Sequence, residues 1–165
     1  MVMAEESATA RRRLTRDDWA AEALNVLADG GLGAVAVEPI AERLGATKGS
    51  LYWHFANREE LLRTALELWE RRHTVEVNAA VDAASADPGE QLELLVRNAV
   101  GTVERDPTAL TLLASADDPL VAPVLERVTR LRLDYLTLLF EHLGVPAELA
   151  RWRAVLTYSA YLGHA

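Results

Sequence analysis

The stretch GATKGSLYWHF, residues 45 to 55, decides the fold at the N-terminal end of this 165-residue chain. Its first residue, a glycine, suits the left-handed conformation that ends a helix, and the threonine two positions later suits the N-cap of the next helix. The segment before it, VEPIAERLG, places Ile40 and Leu44 on one helical face, while Leu51 and Phe55 share a face of the second helix. Two short helices joined by a glycine-containing turn predict a helix-turn-helix.

The second helix of such a unit enters the DNA major groove with its N-terminal residues leading. Here the leading turn is Thr47, Lys48, Gly49 and Ser50, and Lys48 is the only lysine among 17 basic residues. A lysine is a flexible charge that reaches a phosphate or a guanine edge, and unpaired backbone N–H groups at a helix start suit phosphate. Spacing alone leaves an alternative open, in which the unit binds no DNA and the aromatic residues that follow are packing residues.

Composition argues against several classes of protein, including disulfide-bonded, secreted and membrane-spanning ones. The formal net charge is −8 and the pI is near 5.0, with the acidity mostly after residue 63, so a local basic surface is not excluded. The chain has no cysteine, which excludes disulfides and thiolate metal sites, and its histidines show no close metal-ligand spacing. The N-terminus lacks the apolar region of a signal peptide, and no apolar run approaches the ~20 residues that cross a bilayer. We expect a cytoplasmic protein with no metal, no cofactor and no membrane association.

Helix starts recur along the sequence, and no segment alternates as a strand does. Thr15 and Asn57 suit N-caps, and three Asp-Pro pairs place an acid at a cap and a proline at the first helical position. Pro123 is expected to kink the seventh helix or to delay its start. The pattern predicts an all-α protein with helices at about 16–29, 37–44, 48–54, 58–82, 88–104, 107–115, 119–143 and 147–165. The last helix is still periodic at the final residue, which suggests a missing C-terminal helix, or else a natural end with a frayed last turn.

Residues 15–66 resemble the N-terminal domain of the TetR-family transcriptional regulators. The resemblance is carried in order by GGLGAVAV, IAERLG, ATKGSLYWHF and NREELL. It implies a helix-turn-helix DNA-binding domain at residues 15–60, preceded by a flexible basic arm at residues 1–14. It also implies a helical-bundle domain at 61–165 that binds a ligand and forms the dimer.

The resemblance also implies roles for individual residues. Contacts to DNA, largely to phosphates, fall on Thr47, Lys48, Tyr52 and His54. The base-reading face falls on or near Gly49, Ser50 and Trp53, and a position near the DNA backbone on Arg58. Arg11, Arg12 and Arg13 resemble an arm that reaches an adjacent groove, or are a solvated tail. Ala36 departs from the Thr or Ser that the family usually has before the second helix, which removes a cap typically worth ~1 kcal/mol.

Beyond residue 66 the sequence carries no motif of its own, and the sites there follow from the implied architecture. A small-molecule effector, apolar or aromatic, is expected in a pocket whose candidate wall is Trp69, His73, Val96, Val100, Leu112, Arg132 and Tyr135, although each of these also suits an ordinary core or surface position. Helix 147–165 is expected to form part of a homodimer interface through Leu156, Tyr158, Tyr161 and Leu162.

These observations predict a bacterial transcriptional regulator, most simply a ligand-responsive repressor that binds double-stranded DNA as a dimer on a pseudo-palindromic operator. The alternative is a helix-turn-helix module that binds other proteins and not DNA, for which Ala36 and the acidic charge argue. An enzyme is not expected. Ser50 and His54 are one turn apart through simple helical period, on a short helix with no oxyanion-binding architecture.

Overall fold

The computed structural model describes residues 13–103 and 107–164, and within these ranges it contains α-helices and no strand, which confirms the all-α prediction. A 3₁₀ turn, Leu32–Ala34, follows the first helix, and a π turn, Arg71–Val75, joins the fourth helix to the fifth. The α-helices are α1 Arg16–Gly30, α2 Val37–Arg43, α3 Lys48–Tyr52, α4 Arg58–Glu70, α5 Glu76–Ala84, α6 Pro88–Val103, α7 Thr108–Ala114, α8 Ala122–His142 and α9 Ala147–His164.

Side-chain caps begin α1, α4 and α6 where the sequence predicts them, and the predicted cap Asp106 lies outside the described residues. Thr15 and Asp18 form a capping box, in which the threonine hydroxyl accepts from the Asp18 N–H at 3.2 Å and the carboxylate accepts from the Thr15 N–H at 2.7 Å. Asn57 accepts from the N–H of Glu60 at 2.9 Å, and Asp87 accepts from two N–H groups of the first turn of α6 at 2.9 Å each. These bonds satisfy N–H groups that have no partner within the helix.

The first three helices enclose a small core. Trp19 and Leu27 of α1, Ile40 of α2, and Leu51 and Phe55 at α3 are buried, each with 1% or less of its surface exposed. Full burial of an apolar side chain of this size contributes about 1.5–3 kcal/mol. Because the buried residues of α3 lie on one face, this packing turns the opposite face of that short helix to solvent.

The helix that was predicted over 58–82 is interrupted. α4 ends at Glu70, the π turn occupies Arg71–Val75, and α5 continues to Ala84. No glycine or proline marks the change, and a π turn is a local insertion that needs neither. The sequence therefore predicted one helix where the structure has a rod with an internal π turn.

α8 begins later than the predicted position 119. Asp118 accepts from the Leu120 N–H at 2.8 Å in a tight turn, and the helix starts at Ala122 with Pro123 in its first turn. Proline is tolerated there because the N–H that it lacks would have no helical partner. At the other end, Gly144 has φ 82° and closes the turn between α8 and α9, which pack side by side.

One hydrophobic cluster crosses the boundary that was predicted at residue 60. It joins Trp19 to Leu61 and Leu66 of α4, Leu112 of α7, and Val128 of α8. The helix-turn-helix therefore packs directly on helices of the second half of the chain. A separate, smaller cluster holds α8 against α9.

Candidate nucleic-acid interface and ligand cavity

The leading turn of α3 is exposed and capped. Thr47 has extended backbone dihedrals, φ −98° and ψ 155°, and its hydroxyl oxygen accepts from the Ser50 N–H at 3.2 Å. The two hydroxyl oxygens, Thr47 Oγ1 and Ser50 Oγ, lie 3.0 Å apart. Thr47, Lys48 and Gly49 are exposed, so the helix start presents backbone N–H groups, hydroxyls and one ammonium to solvent.

The aromatic residues that follow divide between surface and core. Trp53 is 89% exposed and Tyr52 is 56% exposed, whereas Phe55 is buried. His54 is half-buried, and its carbonyl accepts from a guanidinium nitrogen of Arg16. A tryptophan this exposed contributes little to packing within the chain, so the structure does not favour the packing alternative for Tyr52 and Trp53.

Lys48 is paired with an acid that sequence reasoning missed. Its ammonium donates to a carboxylate oxygen of Glu38 at the start of α2, and both side chains are more than half exposed. The hydrogen bond from Lys48, with a second from its own backbone, holds the pKa of Glu38 below its ordinary value. The two residues are ten positions apart, and only the packing of α2 against α3 brings them together.

Arg58, which was predicted to lie near the DNA backbone, is hydrogen-bonded within the chain. Its guanidinium donates to the carbonyl of Leu32 at 2.7 Å and to the carbonyl of Val35. These carbonyls belong to the turn between α1 and α2, so the side chain ties α4 to that turn. The physical reason is local: the two acceptors lie within reach of the first residue of α4.

The other arginines of residues 16–63 are also engaged within the chain. Arg16 pairs with Glu60 at 2.9 Å, and the remaining pairs are Arg43 with Asp29 at 2.9 Å and Arg63 with Glu59 at 2.6 Å. Arg13 is exposed just before α1, and the predicted arm residues Arg11 and Arg12 lie outside the described residues. The surface around α3 is therefore not a dense basic patch.

A cavity of about 410 Å³ lies in the second half of the chain. Six of the seven predicted wall residues line it, and Leu112 does not. Leu112 is fully buried in the cluster that contains Trp19, whereas Ala109, one turn earlier on α7, lines the cavity. The lining residues come from α4 to α9 and the π turn: Trp69, His73, Val77, Asn78, Leu95, Val96, Asn98, Ala99, Val100, Ala109, Arg132, Tyr135, Leu136, Thr157, Tyr158, Ala160 and Tyr161.

The predicted dimer residues of α9 lie on different faces. Tyr158 and Tyr161 line the cavity with their rings stacked 5.9 Å apart, and Leu162 packs on the α8–α9 cluster. Only Leu156 is exposed, at 68%. The other three are covered in part by α8 and the cavity, so they do not share one exposed face with Leu156, and their dimer role stays a prediction.

Two polar residues of the cavity wall are hydrogen-bonded to neighbouring elements of the chain. Arg132 donates to the π turn, and the Tyr135 hydroxyl donates to Asp82 at 2.6 Å. Burial, together with the neighbouring Asp82 carboxylate, raises the pKa of the Tyr135 hydroxyl well above its usual range. This hydroxyl therefore stays protonated at neutral pH. Within the described residues, no group of three His, Asp or Glu side chains could hold a metal ion.

Comparison with known proteins finds a family model that matches the segment containing this geometry. Residues 21–65 match the model of the bacterial regulatory proteins of the tetR family. Over its first four helices the chain therefore resembles the TetR family. The match contains α2, α3 and the start of α4, which are the elements that build the exposed turn.

Two named regulatory proteins resemble part of this chain. The HTH-type transcriptional regulator TtgR of Pseudomonas putida is 33% identical over 58 residues, which cover 35% of this chain and 28% of that protein. The tetracycline repressor protein class D of Escherichia coli is 31% identical over 87 residues, which cover 52% of this chain and 36% of that protein. The chain therefore spans about a third of the length of these relatives.

The fold extends the likeness to the second half. A TetR transcriptional regulator from Legionella pneumophila superposes with a TM-score of 0.79 at 15% identity, over 93% of this chain and 86% of the other. At that identity the likeness concerns the fold. Among the described residues, no helix is both long and apolar enough to cross a membrane.

Proposed function

We propose that this protein is a sequence-specific DNA-binding transcriptional regulator of the TetR family, a ligand-responsive repressor that acts in the bacterial cytoplasm as a dimer on a pseudo-palindromic operator. The observation that carries the proposal is the exposed, capped start of α3 within the segment that matches the family. The proposed DNA-binding domain is residues 15–60, and the proposed regulatory domain begins at residue 61.

The proposed DNA contacts follow from exposure and chemistry. The hydroxyl of Thr47, the ammonium of Lys48 and the phenol of Tyr52 suit phosphate oxygens. Gly49 lets the backbone approach the duplex closely, and Trp53 supplies an exposed apolar surface for base edges. We assign Arg58 a positioning role, since its hydrogen bonds tie α4 to the turn before α2.

The proposed dimer face is a stripe on α9 that includes residues the sequence did not single out. Leu149, Trp152 and Leu156 follow helical spacing of three and four, and they are 54%, 66% and 68% exposed. Leu131 and Leu138 of α8 are also exposed, at 40% and 45%. Such large apolar side chains suit the buried part of an interface. In a two-fold dimer, the same stripe of each copy would meet its counterpart.

We propose that ligand binding in the cavity affects the DNA-binding surface through α4 and α7, which contact both regions. α4 begins beside the helix-turn-helix at Arg58 and reaches the cavity at Trp69, and α7 contributes Ala109 to the cavity and Leu112 to the core under α1. A ligand that binds one arrangement of these helices more tightly shifts the protein toward that arrangement. Release of DNA then requires that the favoured arrangement bind the operator less tightly.

The protein-interaction module remains the second candidate, on the observation that the basic residues around α3 are paired with acids. The matched relatives are named as transcriptional regulators, which supports DNA binding and supports the prediction that the chain is not an enzyme.

The test is selection of bound duplexes from a random DNA pool at near-physiological salt. Enrichment of a palindromic sequence that the Lys48→Ala variant binds less tightly would support a dimeric DNA reader. Failure of the folded protein to enrich any sequence would contradict the proposal and favour the interaction module.

A further inference from the structure

The cavity wall carries one positively charged side chain and no negatively charged one within residues 13–103 and 107–164. Among the described residues that line it, Arg132 of α8 is the only one with a permanent charge, and none is an aspartate or glutamate. The rest of the wall is largely aliphatic and aromatic. A ligand that fills the cavity therefore meets mostly apolar surface, one guanidinium, and the polar side chains of His73, Asn78, Asn98 and Thr157.

Arg132 is held in place by neutral groups of the π turn. Its Nε donates to the hydroxyl of Thr74 at 3.1 Å, and its Nη2 donates to the carbonyl of His73 at 3.0 Å. Thr74 is 2% exposed, so this anchor is inside the protein. A guanidinium has five N–H donors in a fixed plane, and these two bonds use one side of it. The π turn thus orients the arginine without neutralising it.

Two aromatic rings flank the same guanidinium. Its central carbon lies 5.7 Å from the centroid of the Trp69 ring and 5.7 Å from that of the Tyr161 ring. Cation–π contact at this distance stabilises the charge, and the arginine side chain is half-buried. A charge that is shielded from water interacts more strongly with an opposite charge than an exposed one does.

A second arginine of α8, Arg127, forms an ion pair with an acid of α4, which, among the described residues, Arg132 does not. Arg127 forms a two-pronged pair with Glu70 of α4, with nitrogen–oxygen distances of 2.6 and 3.2 Å. Arg132 lies just over one turn later and also faces this rod. Yet in the part of the chain that the structure describes, no carboxylate lies within ion-pair distance of it. A half-buried cation without a counter-charge is unfavourable, and a bound anion would remove that cost.

We propose that the cavity binds an apolar monocarboxylic acid, with its carboxylate on the guanidinium of Arg132 and its apolar body against the aliphatic and aromatic wall. The inference rests on the proposed function, in which this cavity is the effector site. A single cation matches a single negative charge, since a dianion would leave one charge uncompensated among apolar groups. The volume of about 410 Å³ falls in the range of small-molecule sites.

The experiment compares acids with their own amides, which match in shape and lack the charge. Octanoate with octanamide and 1-naphthoate with 1-naphthamide are titrated into the DNA-free protein at neutral pH by calorimetry. We expect at least one acid to bind about tenfold or more tightly than its amide, as a charge-assisted hydrogen bond predicts. In Arg132→Gln this preference should vanish, while in Arg130→Gln, an exposed arginine of the same helix outside the cavity wall, it should persist.

The amides also report on the cavity itself. If Arg132→Gln binds the amide as the wild type does, the cavity has survived the substitution. Equal binding of acids and amides, absence of binding by both acids, or an acid preference that survives in Arg132→Gln would each overturn the inference. Because the titration contains no DNA, these results are independent of operator binding, which is measured separately by duplex selection. Acid binding without DNA selection would instead contradict the proposed function.

Discussion

The start of α2 lacks a side-chain cap, and Pro39 occupies the position whose N–H would donate to one. The caps of α1, α3 and α4 are Thr15, Thr47 and Asn57, and each accepts from the N–H of the residue three positions later. In α2 the N-cap position is Ala36, with φ −133° and ψ 154°, and the residue three positions later is a proline. Proline has no N–H, so the usual donor to a cap hydroxyl does not exist.

The perturbation is a double-mutant cycle of Ala36→Thr and Pro39→Ala. An N-cap hydroxyl typically contributes ~1 kcal/mol through the N–H of the second or third residue of the helix. With the third N–H absent, we expect Ala36→Thr alone to raise the free energy of unfolding by less than about 0.5 kcal/mol. In the Pro39→Ala background the donor is restored, and the same change should contribute ~1 kcal/mol, so the coupling energy is at least about 0.5 kcal/mol.

The assay is urea unfolding followed by far-ultraviolet circular dichroism, with thermal melts as a second measurement. For a chain of this size, 1 kcal/mol shifts the melting temperature by about 2–4 °C. Ala36→Val is the matched control, because valine has nearly the shape of threonine and no hydroxyl. An equal gain from Ala36→Thr with and without Pro39, or an equal gain from Ala36→Val, would refute the reasoning.

Four further outcomes are expected. Lys48→Ala should weaken operator binding and reduce the slope of log affinity against log salt by about 0.9 per chain, measured by fluorescence anisotropy, and an unchanged slope would contradict a phosphate contact. Glu38→Gln should tighten operator binding in the same assay because it releases Lys48, and weaker binding would show that the pair itself is needed. Leu112→Ala should lower the free energy of unfolding by about 2–5 kcal/mol in urea, and a loss under about 1 kcal/mol would contradict its place in the core. Trp152→Glu should convert a dimer to a monomer in sedimentation velocity, whereas a dimer unaffected by it would exclude this stripe from the interface.

Local chemistry made most of the fold predictable from the sequence. A cap such as Thr15 or Asn57 acts on an N–H three residues away, and Gly45 takes φ 58° at the end of α2 as its place before a turn predicts. The π turn was not predictable in this way, because Arg71–Val75 contains no residue type that requires it. Its conformation depends on partners from a distant helix, such as Arg132, which binds it from α8.

The exposure of site residues was predictable only where it depends on a single helix. Leu51 in α3 and Phe55 just after it are buried on one side, so the opposite face of α3 was expected to be exposed. The pair of Glu38 with Lys48 depends on how α2 crosses α3, and no spacing rule contains that crossing. Likewise, helical period placed Leu112 on an apolar face of α7, but the packing of that helix assigns Ala109 to the cavity and Leu112 to the core.

Under the proposed function, an acidic chain binds DNA specifically through a small number of contacts to base edges. Non-specific binding to DNA comes from lysines and arginines that replace counterions on phosphates. Between residues 16 and 63, each basic side chain already binds an acid or a carbonyl of its own chain, so a random duplex must displace a partner such as Glu38 to gain each contact. That exchange lowers the affinity for any sequence, whereas contacts to base edges from the exposed α3 surface would add only at the correct one. Under the proposed function, the internal pairs therefore weaken specific and non-specific binding alike, and the ratio of the two depends on the contacts to base edges.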